Sequence, residues 1–105
     1  MPVEELAGIN IEVDAEGFMV DHQQWNRDIA MQIADAEDIA PLTDRHWEVI
    51  EFMRKDFEEN GTAPTIRRMK KLGVVPTKEL YTLFPGGPAK KASKIAGLPK
   101  PKGCI

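Results

Sequence analysis

Apolar residues change their spacing along the chain, and each spacing predicts an element. Ile9, Ile11 and Val13 alternate with Asn10 and Glu12, the period of a half-buried strand. Asp14, Ala15, Glu16 and Gly17 supply turn chemistry before Phe18, Met19 and Val20, so a short N-terminal β-hairpin is expected. Asp21, with Gln24 three residues on, is the expected cap of a helix whose Trp25, Ile29 and Ile33 recur every fourth position, fading near Asp38. The next helix has the fullest set of signals. Thr43 caps it, Leu42 and Trp47 are spaced for a hydrophobic staple, Val49, Ile50, Met53 and Phe57 form its apolar face, and Asn60 and Gly61 end it.

Three shorter helices are expected after that. Thr62 and Pro64 open one that carries Ile66, Met69 and Leu72 among Arg67, Arg68, Lys70 and Lys71, and Gly73 stops it. Thr77 caps another through Leu80, Leu83 and Phe84, which Pro85, Gly86, Gly87 and Pro88 break. The last spans roughly Ala89 to Ala96, with Gly97 as its natural C-terminal cap. The expected fold is mainly α: a compact domain of about five helices with an N-terminal β-hairpin, occupying residues 1–96, followed by a C-terminal arm at 97–105.

That arm holds the candidate chemistry. Pro99 and Pro101, separated by Lys100, favour an extended backbone with little to pack, and eight extended residues reach about 26 to 29 Å. Gly103 removes side-chain bulk beside Cys104, the chain's one cysteine and its penultimate residue. A free cysteine is most often buried and inert. One placed at the end of a Pro- and Gly-containing tail is instead positioned to meet a partner. The thiolate is its reactive form; Lys100 and Lys102 favour it and the terminal carboxylate of Ile105 opposes it.

Composition narrows the classes. An apolar share of 42% with 30% charged residues suits one soluble globular domain. No run is long and apolar enough to cross a bilayer, and the acidic N-terminus lacks the features of a secretion signal, so a cytoplasmic location without membrane insertion is expected. One cysteine forbids an intramolecular disulfide. Cys104, His22 and His46 lack ligand spacing, so no metal and no cofactor are expected.

Residues 1–60 carry 16 acids and 4 bases, and residues 61–105 carry 1 acid and 10 bases, so the two parts have net charges of −12 and +9. Either the parts attract each other within the fold, or the basic one is steered to an acidic protein surface, a nucleic acid or an anionic sulfur compound.

The segment from Ala92 to Ile105 resembles the C-terminus of the DsrC/TusE family. So do the stretch from Leu80 to Lys90, the stretch from Ala63 to Arg67, and His46-Trp47. The resemblance implies a mostly helical fold with a small hairpin, a helix-turn-helix-like arrangement and a flexible arm bearing a reactive thiol. It implies a sulfur carrier rather than a stand-alone enzyme, with Cys104 accepting and donating persulfide sulfur and Arg67 contacting the arm or its terminal carboxylate. The partners it implies are sulfurtransferases, with dissimilatory sulfite reductase or a tRNA-thiolating enzyme as acceptors in different branches.

Ser93 stands where two-cysteine members carry a second arm cysteine, so internal release by a resolving thiol is not available. A natural single-cysteine carrier and a Cys-to-Ser replacement both account for it. A short insertion that many members carry before Leu80-Tyr81 is also absent.

Two other classes compete. The basic helix around Arg67, Arg68, Lys70 and Lys71 would suit a DNA-binding regulator, against which the overall acidity argues. A non-catalytic partner subunit of sulfite reductase would plug a channel with its arm and carry no sulfur. An accessible arm thiol also allows a Cys104-linked dimer.

Overall fold

A computed structural model describes residues 3–6, 8–73 and 75–101 of the chain. Among them, a two-stranded antiparallel sheet precedes five α-helices, the mainly helical fold that the pattern predicts. Strand β1 (Val3–Leu6) pairs with β2 (Ile9–Glu12), Val3 opposite Glu12 and Leu6 opposite Ile9. The hairpin therefore lies one strand earlier than the alternation suggested. Gly8, at φ 77°, sits in the β1–β2 connection and was the overlooked signal.

The expected turn at 14–17 does form. Asp14 Oδ1 accepts from the Glu16 and Phe18 amides at 2.9 and 3.0 Å, and the Asp14 amide donates to the Phe18 carbonyl at 2.8 Å. Beyond it pairing shrinks to a single bridge, Val13 with Met19, because the chain turns away at Asp21. Ile11 and Val13 are buried in the core, as the alternation predicts, whereas Ile9 on the same face is exposed at the start of β2.

Asp21 caps only a 3-10 turn, His22–Gln24, and Trp25 is extended. Helix α1 (Arg27–Ala36) starts on a second cap, the Asn26 side chain, which accepts from the Ile29 amide at 2.9 Å. It buries Ile29, Ala30, Ile33 and Ala34. Helix α2 (Asp44–Asn60) has the expected Thr43 cap and ends at Gly61 with φ 76°; its buried face includes Val49, Ile50 and Met53.

His46 completes that cap. Its Nδ1 accepts from the Thr43 amide at 3.0 Å, so Nε2 carries the proton and donates to the Leu83 carbonyl at 2.8 Å.

Helix α3 (Ile66–Leu72) is capped by Thr65 rather than by Thr62, and Met69 is its buried residue. Helix α4 (Thr77–Leu83) buries Leu80. Helix α5 (Pro88–Ile95) begins with Pro88 in the first turn, where the missing amide costs nothing, and packs against both α1 and α2.

Part of the charge asymmetry is met internally. Arg68 grips the buried Asp56 carboxylate through two bonds of 2.8 and 2.7 Å, Arg45 forks onto Glu79, Lys94 pairs with Glu37 at 3.1 Å, and Lys100 with Glu16 at 3.0 Å. Each of these pairs joins residues 1–60 to residues 61–105.

Candidate functional site

The C-terminal end of α5 is where the body hands over to the arm. Gly97 adopts φ 72°; its amide donates to the Lys94 carbonyl at 3.2 Å, and the Leu98 amide reaches back to the Ser93 carbonyl at 2.9 Å. This is a Schellman closure, which satisfies carbonyls that the helix leaves open and requires a left-handed residue at its centre. Leu98, the residue that follows, is fully buried in the core.

Two side chains from other elements fasten this corner. Trp25, extended between the 3-10 turn and α1, donates its indole Nε1–H to the Ile95 carbonyl at 2.8 Å. Arg54, on α2, donates Nη1 to the Ala96 carbonyl at 2.8 Å and Nη2 to the His22 carbonyl at 3.2 Å, with its guanidinium carbon 4.1 Å from the Trp25 ring centroid. Burial pulls the Arg54 guanidinium below its ordinary value, and the Glu58 carboxylate opposes that shift. A cation at a helix C-terminus is favoured by the helix dipole, and stacking on an indole adds to it.

Gly97 is tightly enclosed here: a Cβ at that position would lie 2.4 Å from Trp25 Cδ1 and 2.8 Å from its Cβ and Cγ. Glycine is needed both for the backbone angle and for the close approach of the indole.

Past Leu98 the chain stays on the body for longer than its prolines suggested. Pro99 and Lys100 are exposed, but Lys100 Nζ binds Glu16 Oε1 and Pro101 is buried. The expectation that the tail has little to pack does not describe 98–101, because Leu98 supplies an apolar side chain and Lys100 a charge partner. Gly103 and Cys104 lie outside the described residues.

Ser93, on α5, is wholly buried, and its Oγ has no hydrogen-bond partner among the described residues. Arg67 is exposed on α3, and the arginine that touches the arm root is Arg54. Of the basic run on α3, Arg68 is held by Asp56, while Arg67, Lys70 and Lys71 are exposed. Among the described residues no cluster of three or more His, Cys, Asp or Glu side chains could hold a metal ion, and no helix is long and apolar enough to cross a membrane.

Sequence reasoning missed Arg54 and gave Trp25 the wrong setting. A signal for Arg54 was available: it follows Ile50 by four residues and Met53 by one, a charge at the border of an otherwise apolar stripe.

A family model described as DsrC like protein matches residues 5–105. A Haemophilus influenzae protein named sulfurtransferase TusE homolog is 48% identical over 107 residues, which covers 95% of this chain and 97% of that protein. The NMR structure of Allochromatium vinosum DsrC is similar with a TM-score of 0.81 at 39% identity, covering 98% of this chain and 97% of that one. The crystal structure of the oxidized gamma-subunit of the dissimilatory sulfite reductase (DsrC) from Archaeoglobus fulgidus has a TM-score of 0.79 at 35% identity, covering 99% and 100%. Sequence and backbone agree over essentially the whole length, and the chain belongs to the DsrC-like family.

Proposed function

We propose that this protein is a sulfur carrier whose thiol, Cys104, accepts and passes on persulfide sulfur. What carries the reading is the placement of the chain's one cysteine three residues beyond Pro101, at the end of a segment whose root is fastened by Arg54, Trp25 and Leu98, in a chain closely similar to sulfurtransferases. In the loading step the Cys104 thiolate attacks the outer sulfur of a donor persulfide. The donor's S–S bond breaks, the donor leaves as a thiolate, and Cys104 is left as a persulfide; delivery repeats the exchange with an acceptor thiolate. Neither step needs an external oxidant or reductant.

Residues 97–105 form the carrier arm in this reading. Gly97 makes the corner at its root, Pro99 and Pro101 keep it extended, Lys100 tethers it, and Gly103 gives the thiol a slim approach. Arg67, exposed on α3, remains the candidate contact for the arm's terminal carboxylate in the loaded or docked state.

Ser93 contributes no thiol, so sulfur leaves only to an external acceptor. Together with the 48% identity to a TusE homolog, against 39% to a DsrC structure, this favours a cytoplasmic relay of the TusE kind, ending in tRNA thiolation, over partnership with sulfite reductase. Oxidation in the absence of a donor would join two copies through Cys104, a dimer that reductant should dissolve.

The test is incubation with glutathione persulfide followed by intact mass measurement. The wild-type chain should gain sulfur atoms that dithiothreitol removes, and Cys104→Ser should gain none. Equal gain by both chains, or no gain by either, sinks the proposal. Full pathway activity with Cys104→Ser in cells would instead favour a channel-plugging subunit.

A further inference from the structure

We propose that Arg54 is a positioning residue that fixes the root of the arm, so that residues 98–101 leave the end of α5 in one direction. The purpose of this device rests on the carrier reading above; its geometry does not. Arg54 bonds both the 3-10 turn, at the His22 carbonyl, and the exit of α5, at the Ala96 carbonyl. Its guanidinium lies over Trp25, whose indole bonds the preceding carbonyl, Ile95, and whose atoms line the space a Gly97 side chain would need. Three consecutive residues, 95 to 97, are thus fixed from outside their own helix, immediately before the arm.

The planar guanidinium matters here. It delivers two N–H groups to two carbonyls and a flat face to an indole at once, which an ammonium does not. Once the corner is set, Leu98 enters the core and Lys100 reaches Glu16, so the arm's departure point is Pro101 rather than Gly97. Contour length beyond Pro101 is four residues, or about 13 to 14 Å, against about 26 to 29 Å for the eight residues beyond Gly97. Releasing the corner doubles the tether length and so dilutes the thiol about threefold at a fixed partner site within reach of both.

The experiment uses the full chain, labelled at Cys104 with a fluorescent maleimide, and reads time-resolved anisotropy well below the melting temperature. In wild type, most of the decay should follow tumbling of the whole body. Arg54→Met, which keeps the aliphatic stem on Trp25, should lose that slow component to nanosecond motion, and Arg54→Lys should fall between the two. Asp56→Asn, destabilised at a site that does not touch the arm, should behave as wild type.

A slow component undiminished in Arg54→Met overturns the proposal, and so does an equal loss in Asp56→Asn, which would reduce Arg54 to general stability. Should Arg54→Met fail to fold, Trp25→Phe carries the test, since it removes the bond to Ile95 and part of the ring under Arg54 while keeping an aromatic side chain in place. Labelling requires a thiol but no sulfur loading, so this result is independent of whether Cys104 accepts sulfur.

Discussion

Gly97→Ala should be the most damaging single methyl group added anywhere along the described glycines. Its Cβ would sit 2.4 Å from Trp25 Cδ1, a separation that forces the indole out of place. Holding an alanine at φ 72° costs about 1 kcal/mol, and overpacking a closed corner typically costs about 1 to 3. Moving Trp25 also breaks the bond from Nε1 to the Ile95 carbonyl, about 1 kcal/mol more. The expected loss is about 3 to 5 kcal/mol, a large share of the roughly 5 to 15 kcal/mol that a domain of this size possesses. Gly61 supplies the control: its φ is 76°, yet a Cβ there meets nothing within 4 Å, so Gly61→Ala should lose only the backbone share of about 1 kcal/mol. Urea unfolding followed by tryptophan fluorescence measures both. If Gly97→Ala loses no more than Gly61→Ala, Trp25 does not enclose the arm root and the account of that corner is wrong.

Three further outcomes are expected. Arg68 holds the Asp56 carboxyl below the usual carboxylate range, so this pair stabilises the fold above about pH 4 and is lost as pH falls through the lowered folded value; Asp56→Asn should melt several degrees lower and show a flatter loss of stability with acid, by thermal melts across pH 2 to 6. Removing the His46 ring takes away the bonds to the Thr43 amide and the Leu83 carbonyl, so His46→Ala should cost about 2 to 4 kcal/mol and speed amide exchange in α4, and unchanged exchange there would refute the link. Ser93→Ala deletes a buried hydroxyl without a partner and should raise stability by up to about 1 kcal/mol in urea titration, whereas a clear loss would show that the hydroxyl is satisfied.

Helices with local signals were readable from sequence. Thr43, Gly61, Gly73, Pro88 and Gly97 each mark a boundary through their own local chemistry, and all five stand at or beside helix ends. Elements decided by distant partners were not. Asp21 is an adequate cap, but Trp25 is drawn out of helical geometry to bond the Ile95 carbonyl 70 residues away, so α1 restarts on Asn26. The first strand is short and acidic, and its pairing depends on the connection at Gly8 more than on its own pattern. At the arm, sequence pointed to Cys104 by position and family likeness. Arg54, which touches the root, left no local motif because its role arises only where α2, α5 and the 3-10 turn converge.

Radiolabelled sulfur offers the most direct test of the central claim. The protein is charged with a labelled persulfide, freed of donor, digested, and compared before and after addition of an acceptor thiol. The label should appear on the C-terminal peptide containing Cys104 and move to the acceptor when one is supplied. Label that never enters that peptide, or that stays there with acceptor in excess, contradicts a carrier role.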